Sequence, residues 1–210
     1  MELIGTVARL QIQRSSLKLG VAPHRWYDPS PLLSVPALRL DADGVAGLPD
    51  DGEAILDVHH RLHPATKNHN GVNGISVGFT GHYAAMQAQF GPRIAPGVAG
   101  ENVLIEAPRR VTLAELAHGL LIETADGALA PLRNLLVAEP CVEFTRYALG
   151  NADGPPSAPP DRAVTEALDR LRGGMRGFYA TYGSAAPCRI HIGARVYRDD
   201  GREPPLLPAG

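Results

Sequence analysis

The sequence predicts a mostly β protein with a few helices, in which many short strands close into a barrel. Gly and Pro, with 23 and 19 residues, make up a fifth of the 210 residues. That content favours turns and short elements over long helices. Short apolar runs between Pro, Asp and Gly recur along the chain without a regular alternation of strands and helices. This pattern favours a barrel with helical additions over a layered α/β fold.

Short strands are predicted for the first third of the chain. Residues 3–10 are apolar and contain β-branched side chains, which is typical of a strand. Further short strands are expected at residues 32–33, 37–40 and 54–56. A polar loop rich in His and Asn spans residues 59–73, and it leads into a strand over residues 74–79.

Two helices are expected. The first runs through residues 82–90, with Thr80 as its N-cap and with Gly91 and Pro92 at its end. Its shared face is formed by Tyr83, Met86, Gln87 and Phe90. The second covers residues 161–172. Its apolar stripe is Val164, Ala167, Leu168 and Leu171, and its supporting ion pair is Glu166 with Arg170.

The remaining elements are strands and turns. Strands are expected at residues 103–105, 120–124, 135–138 and 189–197. Thr112 and Glu115 have the spacing of a capping box, which predicts a short helical turn. Four prolines predict a loop between residues 150 and 160, and residues 198–210 are expected to form a flexible tail.

The charge balance and the apolar pattern exclude several classes of protein. Lys and Arg (20 residues) nearly balance Asp and Glu (22 residues), whereas nucleic-acid binding needs a clustered basic excess. No apolar run reaches the roughly 18 residues of a membrane-spanning helix, and the first residues lack the pattern of a signal peptide. Two cysteines, Cys141 and Cys188, are too few for a disulfide scaffold. We therefore expect a single cytoplasmic domain, residues 1–210, that binds neither nucleic acid nor a membrane.

Two patterns near residues 59–82 leave alternatives open. Residues 74–78 read Gly-x-Ser-x-Gly, the form that presents a nucleophilic serine in α/β-hydrolases. The polar residues before them favour a Ser76 that simply points outward from a half-buried strand. Five of the eight histidines lie within 24 residues: His59, His60, His63, His69 and His82. Neutral imidazoles suit transition metals, with His63 as a candidate ligand, and a polar loop or active-site rim is the alternative.

Two further candidates carry reactive or ligand-binding groups. Cys141 follows an apolar strand and Pro140 among charged residues, so we expect a reachable thiol, with Arg146 favouring the thiolate. Residues 97–102 contain glycines that let the backbone approach a ligand, followed by a Glu-Asn pair that can hydrogen-bond it. By itself this second segment is typical of a turn.

The order of these motifs resembles the MOSC family, which is named after the C-terminal domain of molybdenum cofactor sulfurase. The resemblance runs from about residue 57 to residue 197. It is carried by four motifs: Pro96-Gly-Val-Ala-Gly-Glu-Asn-Val103, Pro140-Cys141, Arg176-Gly-Phe-Tyr-Ala180 and Ile192-Gly193. It implies a compact β-barrel and a molybdenum–pterin cofactor.

In that family the cysteine of the Pro-Cys motif is proposed to carry sulfur or to ligate molybdenum, which assigns both roles to Cys141. The Gly-Glu-Asn motif assigns cofactor contacts to Gly100, Glu101 and Asn102. Donors available to the phosphate of the pterin are Lys67, Asn68, Asn73 and Arg146. Pyridoxal phosphate is not expected, because its Schiff-base lysine would have to be Lys67, one of only two lysines in the chain, and nothing around Lys67 supports that chemistry.

The resemblance implies a protein that binds the molybdenum cofactor or carries sulfur. Some relatives reduce N-hydroxylated compounds with that cofactor, so a small-molecule substrate is expected. A separate protein would have to donate electrons or sulfur, because the chain contains no flavin domain, iron–sulfur cysteine set or aminotransferase-like domain. The alternative is a non-catalytic binding barrel that has kept the fold without the chemistry.

Overall fold

The computed structural model describes residues 1–22, 24–150 and 160–201. Its strands are β1 (Glu2–Gln13), β2 (Lys18–Val21), β3 (His24–Tyr27), β4 (Leu32–Ser34), β5 (Ala37–Asp41), β6 (Gly44–Leu48), β7 (Ile55–Leu56), β8 (Ile75–Phe79), β9 (Val103–Glu106), β10 (Leu120–Glu123), β11 (Leu129–Val137), β12 (Phe178–Tyr182), β13 (Cys188–His191) and β14 (Arg195–Arg198). Its helices are α1 (Thr80–Phe90), α2 (Val142–Ala148) and α3 (Arg162–Leu171), with a 3-10 turn at Ala114–Leu116. Most of the predicted loop 150–160 and of the predicted tail 198–210 lies outside the described residues.

Seven strands close into a barrel, which confirms the predicted fold class. Their order around the barrel is β1, β14, β10, β11, β12, β8 and β9, and β9 pairs again with β1. β8 and β9 run parallel, and the other neighbours run antiparallel. Closure pairs the backbone groups that the edges of an open sheet would leave exposed.

The first strand joins the two ends of the sheet. β1 pairs with β14 on one side and β9 on the other, and its last residues pair with β4. The register shifts between Leu3 and Gly5 and again between Val7 and Arg9, and such irregularities bend a strand. Gly5 is required at the first bend, because a Cβ there would lie 2.1 Å from the Glu106 carbonyl oxygen.

Smaller sheets and the helices surround the barrel. β13, β5, β6 and β7 form a four-stranded sheet, and β2 pairs with β3 in a hairpin. One apolar cluster fills the barrel, and a second one joins α1, α2 and α3 to the β3 strand. In the second cluster the rings of Tyr27 and Phe144 meet edge to face at 5.1 Å. None of the described helices is both long and apolar enough to cross a membrane.

Several predicted elements are confirmed. α1 ends at Phe90 as predicted, with Tyr83 and Met86 buried. α3 begins after Asp161, whose carboxylate accepts a hydrogen bond from the Val164 amide at 2.9 Å. The capping box also forms, because the Thr112 amide donates to Glu115 at 2.8 Å.

Three details of the prediction are wrong. Thr80 is not the N-cap of α1, because the extended residue before the helix is Phe79 and the Thr80 hydroxyl donates instead to the Ala107 carbonyl. Glu166 pairs with Arg162, one turn before it, rather than with Arg170. The predicted strand 189–197 is two strands, β13 and β14, because the chain turns at Gly193 with a φ of 86°.

Four strands and one helix are not predicted from the sequence. They are β2, β3, β6, β12 and α2. Each has at most seven residues, so its hydrophobic period is too short to recognise. α2 matters most for the candidate site, since it begins directly after Cys141.

Candidate functional site

Cys141 lies where the chain leaves the barrel and enters α2. Pro140 has no amide hydrogen to donate, which helps to end the pairing of β11. Cys141 is extended, with φ −117° and ψ 157°, and its carbonyl accepts the Thr145 amide and hydroxyl at 3.0 and 2.9 Å. Its free thiol is partly exposed. The first turn of α2 therefore fixes the backbone beneath a reachable sulfur.

The cation beside this sulfur is Arg176. Its Nη1 lies 3.9 Å from the Cys141 Sγ. The same guanidinium donates to the carbonyls of Glu139 and Ala99, at 3.2 and 3.1 Å, and its Cζ lies 4.4 Å from the centre of the Phe144 ring. These contacts hold the guanidinium in one place.

The charge of Arg176 has no carboxylate partner within ion-pair distance among the described residues. Its Nε is also buried without a hydrogen-bond partner. Burial alone would lower the pKa of Arg176, but attraction to Cys141, Tyr27, Tyr179 and Glu101 together outweighs that effect and raises it. A partly buried cation held by neutral carbonyls favours a negative group beside it, which a thiolate or an anionic ligand would supply.

Arg176 lines a cavity of about 180 Å³, and Cys141 reaches it only through Arg176, because Cys141 is not among the described residues of the lining. The polar groups that matter for binding there are Gln13, Lys18, His59, Lys67, Glu101 and Arg176. Both lysines of the 210-residue chain, Lys18 and Lys67, therefore line the same cavity. Lys18 is 3.8 Å from Glu143, a distance at which an exposed ion pair is weak. The cavity lining thus holds three cations, with Glu101 and the exposed Glu139 as its acidic residues, in a chain that carries a net negative charge.

Glu101 contributes a buried carboxyl group to the cavity wall. Its Oε2 accepts a hydrogen bond from the Tyr83 hydroxyl at 2.7 Å, and that hydroxyl accepts one from the Ala99 amide at 3.0 Å. Burial raises the pKa of Glu101, although its hydrogen bonds and the charge of Arg176 oppose this. The carboxyl group is therefore biased towards its neutral form.

A second carboxylate, Asp57, is fully buried behind the cavity. Its Oδ2 accepts from the Gln13 amide at 2.7 Å and from the Asn102 side chain at 2.9 Å. Its Oδ1 faces both the amide and the Nδ1 of His59, at 2.8 and 2.9 Å. Asn102 also accepts from the Ser76 hydroxyl at 2.9 Å, so this network ties the loop after β7 to β8.

The structure brings some of the predicted cofactor-binding residues together and separates others. Lys67, Gly100 and Glu101 line the cavity. Asn102 lies behind it in the Asp57 network. Asn68 is buried within its own loop, where it donates to the His59 carbonyl at 2.9 Å.

The Asn68 side chain also accepts the Asn73 amide at 3.1 Å, so Asn68 and Asn73 shape the loop that carries Lys67. Arg146 lies on α2 and is not part of the cavity lining found among the described residues. Its predicted effect on the Cys141 thiol stays a prediction, while the guanidinium in contact with the sulfur is that of Arg176.

The histidine cluster is spread over several environments. His59 lines the cavity, whereas His63 borders a separate surface groove. His82 is buried, with its Nε2 2.9 Å from both the Val111 amide and carbonyl. The described residues contain no group of three His, Cys, Asp or Glu side chains arranged to hold a metal ion.

Ser76 lies inside a strand rather than at a strand-to-helix turn. β8 is buried along its whole length, so the expected half-buried strand is wrong. Ser76 does reach the cavity, and its hydroxyl donates to Asn102. The sharp, strained turn that exposes a hydrolase serine is missing at this position.

Sequence reasoning missed at least four residues of the cavity lining: Gln13, Lys18, Tyr27 and the cation Arg176. Arg176 belongs to a motif that carries the family resemblance, but its sequence separation of 35 residues from Cys141 hides the contact. The sequence did contain a signal for Lys18. Only two of the 20 basic residues are lysines, so an ammonium group could act at only two positions in this chain.

Comparison with known proteins shows a similarity of fold and nothing more specific. No protein family and no curated protein matches the sequence. A crystal structure of the YuaD protein from Bacillus subtilis has a TM-score of 0.54 and 15% identity, over 91% of this chain and 93% of YuaD. The crystal structure of a hypothetical protein has a TM-score of 0.51 and 12% identity, over 92% of this chain and 66% of that one. The chain therefore shares its architecture with these proteins.

Proposed function

We propose that the cavity beside Cys141 binds a molybdenum–pterin cofactor, with the Cys141 thiolate as a ligand of the metal. The observation that carries this proposal is the contact between the Cys141 sulfur and the Arg176 guanidinium at 3.9 Å. A cation without a carboxylate partner stabilises a thiolate, and a thiolate is the ligand type that a thiophilic metal prefers.

The residues around the cavity fit such a group. The buried Nε of Arg176 has no partner, and Lys18 and Lys67 offer ammonium groups to the cofactor's phosphate. A bound cofactor of this kind supplies two-electron redox chemistry. The residues of this chain bind and orient it, and Glu101, biased towards its neutral form, can donate a hydrogen bond within the cavity. The substrate class implied by the resemblance is a small N-hydroxylated compound, with electrons from a separate donor protein.

Sulfur carriage on the same thiol is the second candidate function. The partly exposed position of Cys141 favours it, because a sulfur-donor protein must reach the acceptor sulfur. Both functions depend on Cys141, whose sulfur contacts the cavity residue Arg176, and not on Cys188, which lies on β13.

The test compares three chains purified after expression with abundant molybdenum cofactor: wild type, Cys141→Ser and the control Cys188→Ser. We expect molybdenum and pterin fluorescence in wild type and in Cys188→Ser, and a loss of both in Cys141→Ser. Equal molybdenum in all three chains, or none in wild type, would contradict cofactor binding through Cys141. Persulfide labelling that depends on Cys141 without molybdenum would assign sulfur carriage instead. If wild type shows neither molybdenum nor persulfide labelling, the result would favour the alternative of a non-catalytic binding barrel.

A further inference from the structure

His59 differs from the other histidines of its loop in how its ring nitrogens are used. His60 and His63 each accept a backbone amide at Nδ1, from Leu62 at 3.2 Å and from Ala65 at 3.1 Å. An accepting Nδ1 leaves the hydrogen of a neutral ring on Nε2. The Nδ1 of His59 instead faces a carboxylate oxygen of Asp57 at 2.9 Å, so it must donate.

Asp57 is a strong acceptor because four hydrogen-bond donors converge on its two oxygens. They are the amides of Gln13 and His59, the Asn102 side chain and the His59 Nδ1. A carboxylate can accept all four, whereas a carboxylic acid would bring a hydrogen into this set. The neutral His59 ring is therefore the Nδ1–H tautomer, with a free lone pair on Nε2.

The His59 ring faces the cavity. It is part of the cavity lining, and 31% of its side chain is exposed. Its Nε2 has no protein partner among the described residues for which contacts are given. The other titratable or charged groups that line the cavity are Lys18 from β2, Tyr27 from β3, Lys67 from the same loop, Glu101 before β9, Glu139 after β11, Arg176 before β12 and Tyr179 from β12.

Cations outnumber carboxyl groups in the lining of the cavity. Lys18, Lys67 and Arg176 are cations, whereas Asp57, the exposed Glu139 and the Glu143 beside Lys18 are acidic. An oxyanion in the cavity would reverse this balance. It would screen the cations and accept a hydrogen bond from a protonated Nε2.

We propose that the cavity binds a dianionic oxyanion together with one proton, and that the proton is taken up at the Nε2 of His59. Lys67 and Arg176 supply the fixed positive charge, and Asp57 holds the imidazole in the tautomer that accepts the proton. This inference deepens the proposed function. It rests on that function only for the identity of the natural ligand, because the phosphate of a pterin cofactor is an oxyanion of this kind. The anionic group of a substrate is the other source.

Sulfate is the probe, because it stays dianionic across the relevant pH range and any proton taken up must reach the protein. Calorimetric titration of the full chain at pH 7.0, in buffers of different ionisation enthalpy, counts the protons. We expect uptake of about half a proton or more per sulfate, and an affinity that rises by up to about tenfold per pH unit as the pH falls.

His59→Asn keeps an N–H near Asp57 but removes Nε2, so sulfate should still bind, with proton uptake lost and affinity independent of pH. Lys67→Met should weaken binding at least about threefold and leave the uptake per bound sulfate unchanged. Cys141→Ser should retain the uptake, which excludes the thiol as the proton acceptor. It also separates this inference from the proposed function, which Cys141→Ser abolishes.

Nitrogen-15 NMR of the wild-type His59 ring provides a test that needs no variant. We expect the Nδ1–H tautomer without sulfate and the imidazolium with it. An Nε2–H tautomer, unchanged proton uptake in His59→Asn, or no sulfate binding would overturn the inference. Sulfate that competes with cofactor loading identifies the oxyanion as the cofactor phosphate. Sulfate that binds the loaded chain equally well identifies it as a substrate group.

Discussion

The two cysteines of the chain have different surroundings. Cys141 contacts the Arg176 guanidinium, whose charge favours a negative sulfur. Cys188 lies on β13, where burial raises the pKa of its thiol although a hydrogen bond with Tyr182 partly offsets this. The thiolate is the reactive form of cysteine, so the difference in surroundings becomes a difference in rate.

Alkylation by iodoacetamide at pH 7.5 should therefore modify Cys141 roughly tenfold faster than Cys188. Arg176→Met should slow modification of Cys141 and leave Cys188 unchanged, because methionine can still pack on Phe144 but carries no charge. Arg172→Met, which replaces an exposed arginine, is the matched control. Mass spectrometry of timed samples measures both rates. Equal rates at the two cysteines would contradict the role assigned to Arg176.

The buried carboxyl of Glu101 predicts a pH-dependent stability. Burial raises its pKa above the ordinary 4.5, so the folded chain holds this proton more tightly than the unfolded chain does. Its contribution to stability is full below pH 4.5 and is lost as the pH rises through the folded-state pKa. Glu101→Gln removes the titration and keeps an oxygen that can accept from Tyr83.

We therefore expect Glu101→Gln to gain stability relative to wild type on going from pH 5 to pH 8. Urea unfolding at both pH values measures the two free energies of unfolding. A difference between the chains that is the same at pH 5 and pH 8 would show that Glu101 is ionised in the folded state.

At the level of elements, β8 owes its position beside the cavity to a glycine. A Cβ on Gly78 would lie 2.2 Å from the Glu101 Oε1, so the missing side chain provides the space that the carboxyl group occupies. Gly78 and Glu101 are therefore coupled, although one lies on β8 and the other precedes β9.

Gly78→Ala should lower the free energy of unfolding by about 1–3 kcal/mol, because Glu101 must move out of a packed site. In a Glu101→Ala background the same substitution should cost less, since the clashing atoms are gone. A double-mutant cycle from urea unfolding gives the coupling energy. Additive effects would mean that the two residues do not share this space.

α2 shows why an element near the site could escape prediction. It has seven residues, of which Phe144, Thr145 and Ala148 are buried. So short a segment completes too few turns to show a helical period, and a lone helix of this length is unstable in water. Packing of Phe144 against Tyr27 stabilises it, and that contact exists only in the folded chain.

For the molecule as a whole, barrel closure depends on the pairing of its first and last described strands. β1 pairs with β14 from Glu2 to Thr6 and bridges to β9 from Thr6 onward. Loss of residues 1–6 would open the barrel between β1 and β14 and leave that edge of β14 unpaired.

Deletion of residues 1–6 should therefore abolish cooperative unfolding in urea, followed by circular dichroism. Leu3→Ser changes an exposed side chain of the same strand and is the matched control, with an expected effect within about 0.5 kcal/mol. A truncated chain that unfolds cooperatively with an unchanged midpoint would show that closure through β1 contributes little to stability.

Local patterns were enough to predict the mostly β class, the presence and the end of α1 and most strands of the barrel. Turn residues and hydrophobic periods act over a few positions, so they are visible without a fold. The same reasoning identified Cys141, Lys67 and Glu101 as residue types with useful chemistry. It could not state which of the other candidates lie near them.

The arrangement of the site depends on contacts between distant parts of the chain. Arg176 meets Cys141 across 35 residues, and Asn102 meets Asp57 across 45. Closure of the barrel joins β1 to β14, close to the two ends of the described chain. No local pattern encodes such pairs, because each forms only when separate segments are packed against the same barrel. The chemistry of single residues is thus readable in the sequence, while the cationic cavity exists only in the folded protein.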